Sequence, residues 1–486
     1  MTSDSETKAL LDNGQDPGQP AEPVQYASLG CNQDVAIRVI VIILFVIGLE
    51  MGGLTKNQYV YKWIETNSNS TNTALNASHE NSPTTSLDPC GSNISAGNEK
   101  TDQSEATLWL LYFSLCEHGI SIPMILLYGS YSDFVGRKPL MIIPCIGNCI
   151  QYAIKAFIVY KNLPLVYFFI AYVCIGLCGG HYPFYLAMMA SVADKTDSNN
   201  TRAFGIAIVE AVIGVGVCAA QVGTGYLIKD FGYMYPMVAT SGIFGLCFFI
   251  VVFGVSDTRS PTSTKHITLL VYLKQIFGMF LSKSHIATGS VFTFNMTMLS
   301  FFLLYMVATV FNTIGTLYEL RSPFCWDSRT IGWYGFGTDI VQYVFGLFVV
   351  KGLQMCLSHG AVIILALLSS IATCVITGLA TSSLMLYISS GAGILSVMAR
   401  PLLRAFASNM MDKDKQGAVF GNIYVIEDVC GMLGKTLFSE IYARTQTYMA
   451  GFVYLTMGAF YLLSLIIFIF LLCYKHGKKK NLRIQR

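Results

Sequence analysis

The chain has 486 residues, 53% of them hydrophobic and 12% charged, with a mean hydropathy of +0.54 and a formal net charge of +3. Soluble domains carry about 25% charge, and a soluble chain of this length divides into several polar-coated domains, so an ordinary soluble enzyme and a disordered chain are excluded. So small and dispersed a net charge also excludes a nucleic-acid-binding face; the composition is that of a membrane protein.

Residues 1–34 are polar, contain Pro and Gly, and lack the basic start and apolar centre of a signal peptide. They are expected to form a disordered cytoplasmic N-terminal tail. Within it, Glu6-Thr7-Lys8-Ala9-Leu10-Leu11 has an acidic-dileucine spacing that a sorting adaptor reads at Leu10-Leu11, a spacing that short sequences also reach by chance.

A membrane-crossing helix takes about 20 mainly apolar residues. Twelve such runs follow, at 35–54, 108–128, 140–160, 165–193, 204–228, 233–255, 286–315, 331–350, 361–380, 384–407, 418–441 and 449–474. An all-α protein of twelve transmembrane helices is expected, with both termini on one side. Residues 35–255 form an N-terminal six-helix half and 286–474 a C-terminal one. A central cytoplasmic loop at 256–285 separates them, and a basic cytoplasmic tail follows at 475–486. With cytoplasmic termini, the inner segments hold nineteen lysines and arginines and the outer loops eight, the bias expected for that orientation.

The first outer loop, 65–105, contains the sequons Asn69-Ser70-Thr71, Asn76-Ala77-Ser78 and Asn93-Ile94-Ser95 and is expected to be glycosylated. Most of the fourteen cysteines lie inside apolar runs and read as small packing residues. Cys90, in this loop, and Cys325, between spans seven and eight, face an oxidising compartment. They are either a bridge between the two halves or two free thiols. No histidine pair accompanies the cysteines in a zinc-finger arrangement, so no metal site is expected.

Two segments carry a resemblance. The loop Gly129-Ser130-Tyr131-Ser132-Asp133-Phe134-Val135-Gly136-Arg137-Lys138-Pro139, between spans two and three, resembles the signature loop of the major facilitator superfamily. Gly136 permits a tight turn there, and Asp133 and Arg137 can pair or cap helix ends. Leu317-Tyr318-Glu319-Leu320-Arg321-Ser322-Pro323-Phe324-Cys325-Trp326-Asp327, followed by Ile331-Gly332-Trp333-Tyr334-Gly335, is similar to the outer-loop stretch of the solute carrier 46 family. Further matches are Ser191-Val192-Ala193-Asp194, Glu210-Ala211 with Gly214, Pro401-Leu402-Leu403-Arg404-Ala405 and Gln416-Gly417-Ala418-Val419-Phe420.

The resemblance implies a two-half bundle working by alternating access. It also implies a Cys90–Cys325 disulfide, proton coupling through Glu210, anion binding by Arg404, and a cytoplasmic gate of Asp133, Gly136, Arg137 and Asp194. One departure stands out: the folate-carrying branch has a histidine in span seven where this chain has Ala308.

An ionisable group inside a span is costly and reads as functional by default. Glu210, amid Ile206, Ile208, Val209, Val212 and Ile213, is either a proton carrier or a glutamate satisfied by a neighbouring hydroxyl or amide. Arg400 and Arg404 lie i, i+4 on one helical face, and Arg404 either binds an anion or counter-ion or snorkels to the interface. Asp339, Gln342, Glu427, Asp428, Lys155, Tyr152 and Glu117 complete the polar set. Adjacent residues point about 100° apart, so one of Glu427 and Asp428 is expected to face the cavity. His118 and His181 read first as packed residues.

The expected function is proton-coupled symport of a small organic anion, folate-like first, at the plasma membrane, with the proton gradient as driving ion and no cofactor. A lysosomal exporter of anionic conjugates or cyclic dinucleotides is the alternative, and a non-transporting receptor or scaffold the second. No nucleotide loop, nucleophile elbow or metal cluster points to an enzyme.

Overall fold

The computed structural model describes residues 33–76, 96–194, 199–257, 291–321, 323–408, 410 and 416–484. The described residues are helices joined by short turns, without a strand among them. In the first half the helices are α1 (Gln33–Asn76), α2 (Ala96–Val135), α3 (Lys138–Tyr160), α4 (Phe168–Leu177), α5 (Tyr182–Asp194), α6 (Asn199–Phe231) and α7 (Met234–Gly254). In the second they are α8 (Val291–Ala308), α9 (Phe311–Glu319), α10 (Ser328–Asp339), α11 (Gly346–Cys356), α12 (His359–Gly378), α13 (Ser383–Ala392), α14 (Ala399–Ser408), α15 (Gln416–Thr445) and α16 (Phe452–Ile484).

Local chemistry sets several of these boundaries. Pro139 opens α3 at a position where a missing N–H costs nothing. The Asp327 carboxylate caps α10 by accepting from the Thr330 N–H, and the Ser358 hydroxyl caps α12 by accepting from the Ala361 N–H. Gly179 and Gly180, both at positive φ, separate α4 from α5. Between α10 and α11, Ile340–Phe345 form a π-helical segment, a rare device that re-aims side chains within a helix.

Ten segments among the described residues are long and apolar enough to cross a membrane; they correspond to expected spans one to nine and twelve. Spans ten and eleven are helical but fall outside that set for two different reasons. Span ten divides into α13 and α14, joined by tight turns in which Ile394, Ser396 and Met398 donate to Gly391, Gly393 and Leu395. Span eleven, α15, carries Glu427, Asp428, Lys435 and Glu440.

Helix continues beyond the first two apolar runs: α1 extends to Asn76 and α2 begins at Ala96. Asn69 and Asn76 therefore lie on α1, as do Lys56 and Lys62. Asn93, Cys90, Leu10, Leu11 and the central loop from residue 258 onward lie outside the described residues.

In the N-terminal half α1 packs on α6 and α7, and α3 on α7; in the C-terminal half α16 packs on α8 and α12. Aromatic stacks fill the first half, with Phe45 on Phe184 at 3.7 Å between centroids and Phe113 on Tyr172 at 5.0 Å. The halves meet along two seams, α2 against α15 and α6 against α10. Small residues let backbones approach at these contacts. A Cβ on Gly225 would stand 2.5 Å from the Ser328 carbonyl, and one on Gly332 would stand 2.7 Å from that of Gln221.

At the end assigned to the outside by the charge bias, the α6–α10 seam is fastened by ion pairs of Lys229 with Asp327 and of Arg329 with Asp230. The Arg329 guanidinium also lies over the Tyr226 ring at 4.8 Å, and the Ser328 hydroxyl donates to Gln58 Oε1 at 2.5 Å. Burial pushes the Asp327 carboxyl up, but the Lys229 ammonium and the hydroxyl and N–H of Thr330 outweigh it and hold it at about 2. Beside the α2–α15 seam the Gln103 amide donates to the Leu317 carbonyl of α9 at 2.8 Å, and on the seam Ser104 donates to the Ala443 carbonyl of α15 at 3.1 Å.

Candidate functional site

The long, nearly charge-free helices concentrate their ionisable groups where the two halves touch, and α15 supplies three of them, Glu427, Asp428 and Lys435. Its adjacent carboxylates turn to different neighbours, as a 100° step per residue requires. Glu427 accepts a hydrogen bond from Arg404 Nη2 of α14 at 2.5 Å, with 2% of its side chain exposed. Tyr305 of α8 lies within electrostatic reach of the same carboxylate, and the Arg404 guanidinium lies over the Tyr424 ring at 5.5 Å. Arg404 thus has a counter-ion on its own half and does not snorkel.

Asp428 turns across the seam to α2. Its Oδ1 lies 2.6 Å from His118 Nδ1, and its Oδ2 accepts from the Ser121 hydroxyl at 2.6 Å. Two turns further along α15, Lys435 Nζ lies 3.2 Å from His118 Nε2. His118, expected as a packed residue, therefore stands between a carboxylate and an ammonium that both come from the other half. The Tyr182 hydroxyl of α5 donates to the Glu427 carbonyl at 3.3 Å, a second link across the seam. His181, beside Tyr182, packs its ring 4.2 Å from that neighbour's.

More charges surround this pair. Lys155 of α3, 1% exposed, lies over the rings of Tyr152 and Tyr172 at 4.7 and 4.0 Å, a cation–π seat in place of a carboxylate. Lys56 of α1 and Glu117 of α2 are within electrostatic reach of each other and of Lys435. Neither has a hydrogen bond or ion pair among the described residues. Glu50 of α1 feels Arg400 and Lys56, and Asp339 feels Glu50 and Arg400.

Asp339 and Gln342, both buried, flank the start of the π-helical segment. From that segment the Tyr343 hydroxyl accepts from Arg400 Nη2 at 3.4 Å. Glu210 lies on α6 one turn before Gly214, whose Cα packs on the Tyr343 ring. The side chains of Glu210, Asp133 and Asp194 lie outside the described ones.

Of the residues expected at the gate, Gly136 and Arg137 are described in full. Gly136 has φ +102°, and the following N–H groups of Arg137 and Lys138 donate to Asp257 Oδ1 and Oδ2 at 3.0 and 3.5 Å. Asp257 follows α7, so this turn is braced within the N-terminal half. Beside it, Arg38 bonds Asp34 at 3.1 Å and the Ser256 carbonyl at 2.6 Å, tying α1 to the end of α7. Cys325 is disulfide-bonded.

Sequence reasoning placed Arg404, Glu427, Asp428, His118 and Lys155 among the polar groups of the spans but missed four partners. Lys56 was assigned to the outer loop because the apolar run stops at Leu54. Glu50 and Lys435 were legible as charges inside spans. Asp257, just past a span, carried no signal of its own.

Comparison with known proteins agrees with this architecture. The family model of the Major Facilitator Superfamily matches residues 94–435. The chain is 28% identical to the proton-coupled folate transporter of Rattus norvegicus over 376 residues, covering 76% of this chain and 80% of the relative. It is 24% identical to the lysosomal proton-coupled steroid conjugate and bile acid symporter SLC46A3 of Gallus gallus, covering 89% and 93%. Among solved structures, the human organic anion transporter MFSD10 (TETRAN) superposes with a TM-score of 0.60 at 14% identity, covering 90% of this chain and 99% of that one. The POT family transporter PepTSo superposes with a TM-score of 0.61 at 12% identity, covering 90% and 98%. The family model spans more than half of the sequence and the two relatives are of the solute carrier 46 family: the chain belongs to the major facilitator superfamily, as a multi-pass membrane protein.

Proposed function

We propose that this protein is a proton-coupled symporter of small organic anions, working by alternating access between two six-helix halves with cytoplasmic termini. The observation that carries the reading is a set of ionisable groups buried where the halves meet, the Arg404–Glu427 ion pair and the His118–Asp428 hydrogen bond. Such groups are costly within a membrane and are spent on ion and solute pathways. The names of the relatives support the same chemistry: a folate is a carboxylated anion, and bile acids and many steroid conjugates carry one acidic group.

In this reading the solute's anionic group competes with Glu427 for the Arg404 guanidinium. A proton delivered to Glu427, or to Glu210 on the facing half, removes a carboxylate charge and lets the solute take its place. Asp133, Gly136, Arg137 and Asp194 serve the inner gate, Asp257 bracing the turn that holds Gly136. Cys90 is the disulfide partner of Cys325, and Asn69, Asn76 and Asn93 are glycosylated. Both expectations rest on an outer position for these residues. The proton gradient is the only driving force required.

The experiment is uptake of labelled folate, a bile acid and a steroid sulfate into proteoliposomes at external pH 5.5 and 7.4, with and without a protonophore. Accumulation at pH 5.5 that the protonophore collapses supports the proposal. Equal uptake with the gradient collapsed contradicts proton coupling, and no flux of any anion leaves the receptor reading. Ala308 in place of the folate branch's histidine favours the lysosomal reading, with steroid conjugates or bile acids as solute. Replacement of Leu10-Leu11 by alanines, followed by imaging, separates the two membranes: redistribution to the cell surface supports a lysosomal address read by a sorting adaptor.

A further inference from the structure

The hydrogen-bond pattern around His118 constrains its protons. Asp428 is acceptor-only when ionised, and its Oδ2 is already taken by Ser121, so the 2.6 Å contact at Oδ1 places a proton on His118 Nδ1. Lys435, as an ammonium, only donates, so the 3.2 Å contact at Nε2 requires a lone pair there. His118 is then neutral, an acceptor toward Lys435 and a donor toward Asp428.

A proton added at Nε2 turns that atom into a donor, and two donors cannot face each other at 3.2 Å. Lys435 must leave, while the imidazolium keeps Asp428. The ammonium released remains within electrostatic reach of Lys56 and of Glu117. Counting the groups around this cluster, α1 offers Lys56 and Glu50, α2 offers Glu117, and α3 offers Lys155 behind its two tyrosines. From α5 come His181 and Tyr182, from α15 Asp428, Glu427 and Cys430, and from α8 Tyr305. Glu427 is committed to Arg404. Protonation of His118 therefore leaves the three ammonium groups and the imidazolium against three carboxylates, Glu50, Glu117 and Asp428, an excess of one positive charge.

We propose that the Lys435–His118–Asp428 chain is a second protonation site, in which proton uptake by His118 releases the Lys435 ammonium to bind, together with Lys56, an anionic group of the solute. The proposal rests on the transport reading and deepens it. The solute is a dianion or an elongated monoanion whose acidic group reaches the α1–α2–α15 side of the seam, apart from Arg404. Proton and anion bind the same cluster, each compensating the charge of the other, which couples them without a separate conformational relay.

The probe is inorganic sulfate, titrated at constant ionic strength against the detergent-purified full chain, with the thermal unfolding midpoint as readout between pH 5 and 7.5. The apparent Kd is expected to rise by about tenfold per pH unit on the alkaline side, the slope of one linked proton. His118→Gln, which keeps a hydrogen-bonding side chain without the titration, flattens that slope. Lys435→Gln and Lys56→Gln weaken sulfate at every pH, and Lys56→Gln carries the test alone where the other variant does not fold. An unchanged slope in His118→Gln, or undiminished affinity in the lysine variants, overturns the proposal, the second outcome marking an adventitious ion only. Uptake of labelled folate and of a steroid sulfate by the same preparation separates the two readings. Sulfate linkage without uptake keeps the site and contradicts transport, whereas uptake without sulfate linkage contradicts the site alone.

Discussion

Arg404 and Glu427 form an ion pair almost wholly removed from solvent, with side chains 11% and 2% exposed, and their energetics follow from that burial. Removing one partner strands the other charge inside the bundle, which costs about 3–5 kcal/mol in buried pairs, whereas removing both leaves only a packing defect. Arg404→Ala and Glu427→Ala are each expected to lower the unfolding midpoint more than the double variant does, a coupling that a double-mutant cycle on the purified protein measures. Additive losses would show that the two side chains act apart. Gly136 is the other residue whose identity is fixed physically. Its φ of +102° and a Cβ position 2.0 Å from Asp257 Oδ2 leave no room for a side chain. Gly136→Ala is expected to cost about 1–3 kcal/mol of local strain and to release the Asp257 brace, read as a lower midpoint and as faster proteolysis after residue 257. The sequence signature announced Gly136 and Arg404, because each sits in a recognisable stretch. It did not announce Asp257 or Lys56, whose roles depend on which helix ends meet in space.

At the scale of helices, α10 has a start that can be tested by pH. Asp327 caps it and pairs with Lys229 of α6. The folded-state carboxyl at about 2 lies below its ordinary value near 3.9, so the stabilisation is fully present above that ordinary value and is lost as pH falls through about 2. Between pH 5.5 and 7.4 the clasp stays ionised. Asp327→Asn is therefore expected to lower the unfolding midpoint by the same amount at both pH values, and to leave the pH dependence of uptake where it was. A destabilisation that vanishes at pH 5.5 would contradict this. Helix existence was legible from apolar runs, and ten spans follow them. The two that escape the hydropathy pattern, α13–α14 and α15, do so because glycine turns and charges interrupt them, and these helices carry the candidate site. The π-helical segment at Ile340–Phe345 left no trace in the sequence, since its hydrogen-bond shift depends on packing rather than on residue type.

For the whole molecule, the question is how tightly the end that the charge bias assigns to the outside is closed. The two ion pairs across the α6–α10 seam are partly exposed, with side chains 39–43% accessible. Exposed pairs contribute about 0.2–1 kcal/mol each, so Lys229→Ala or Arg329→Ala shifts a two-state equilibrium by about fivefold at most. Backbone contact at Gly225 and Gly332 is a different constraint, because neither the Gln221 carbonyl nor the Ser328 carbonyl can move without moving its helix. Gly332→Val therefore wedges α6 and α10 apart and disfavours the closed outer end far more strongly than loss of either ion pair. Alternating access makes this a prediction about populations: spin labels on the outer ends of α6 and α10 should show a longer distance as the major population in Gly332→Val, and a minor one in Lys229→Ala. Equal distributions in both variants and the parent would mean that the seam is a fixed hinge, and the two halves would have to alternate about some other contact.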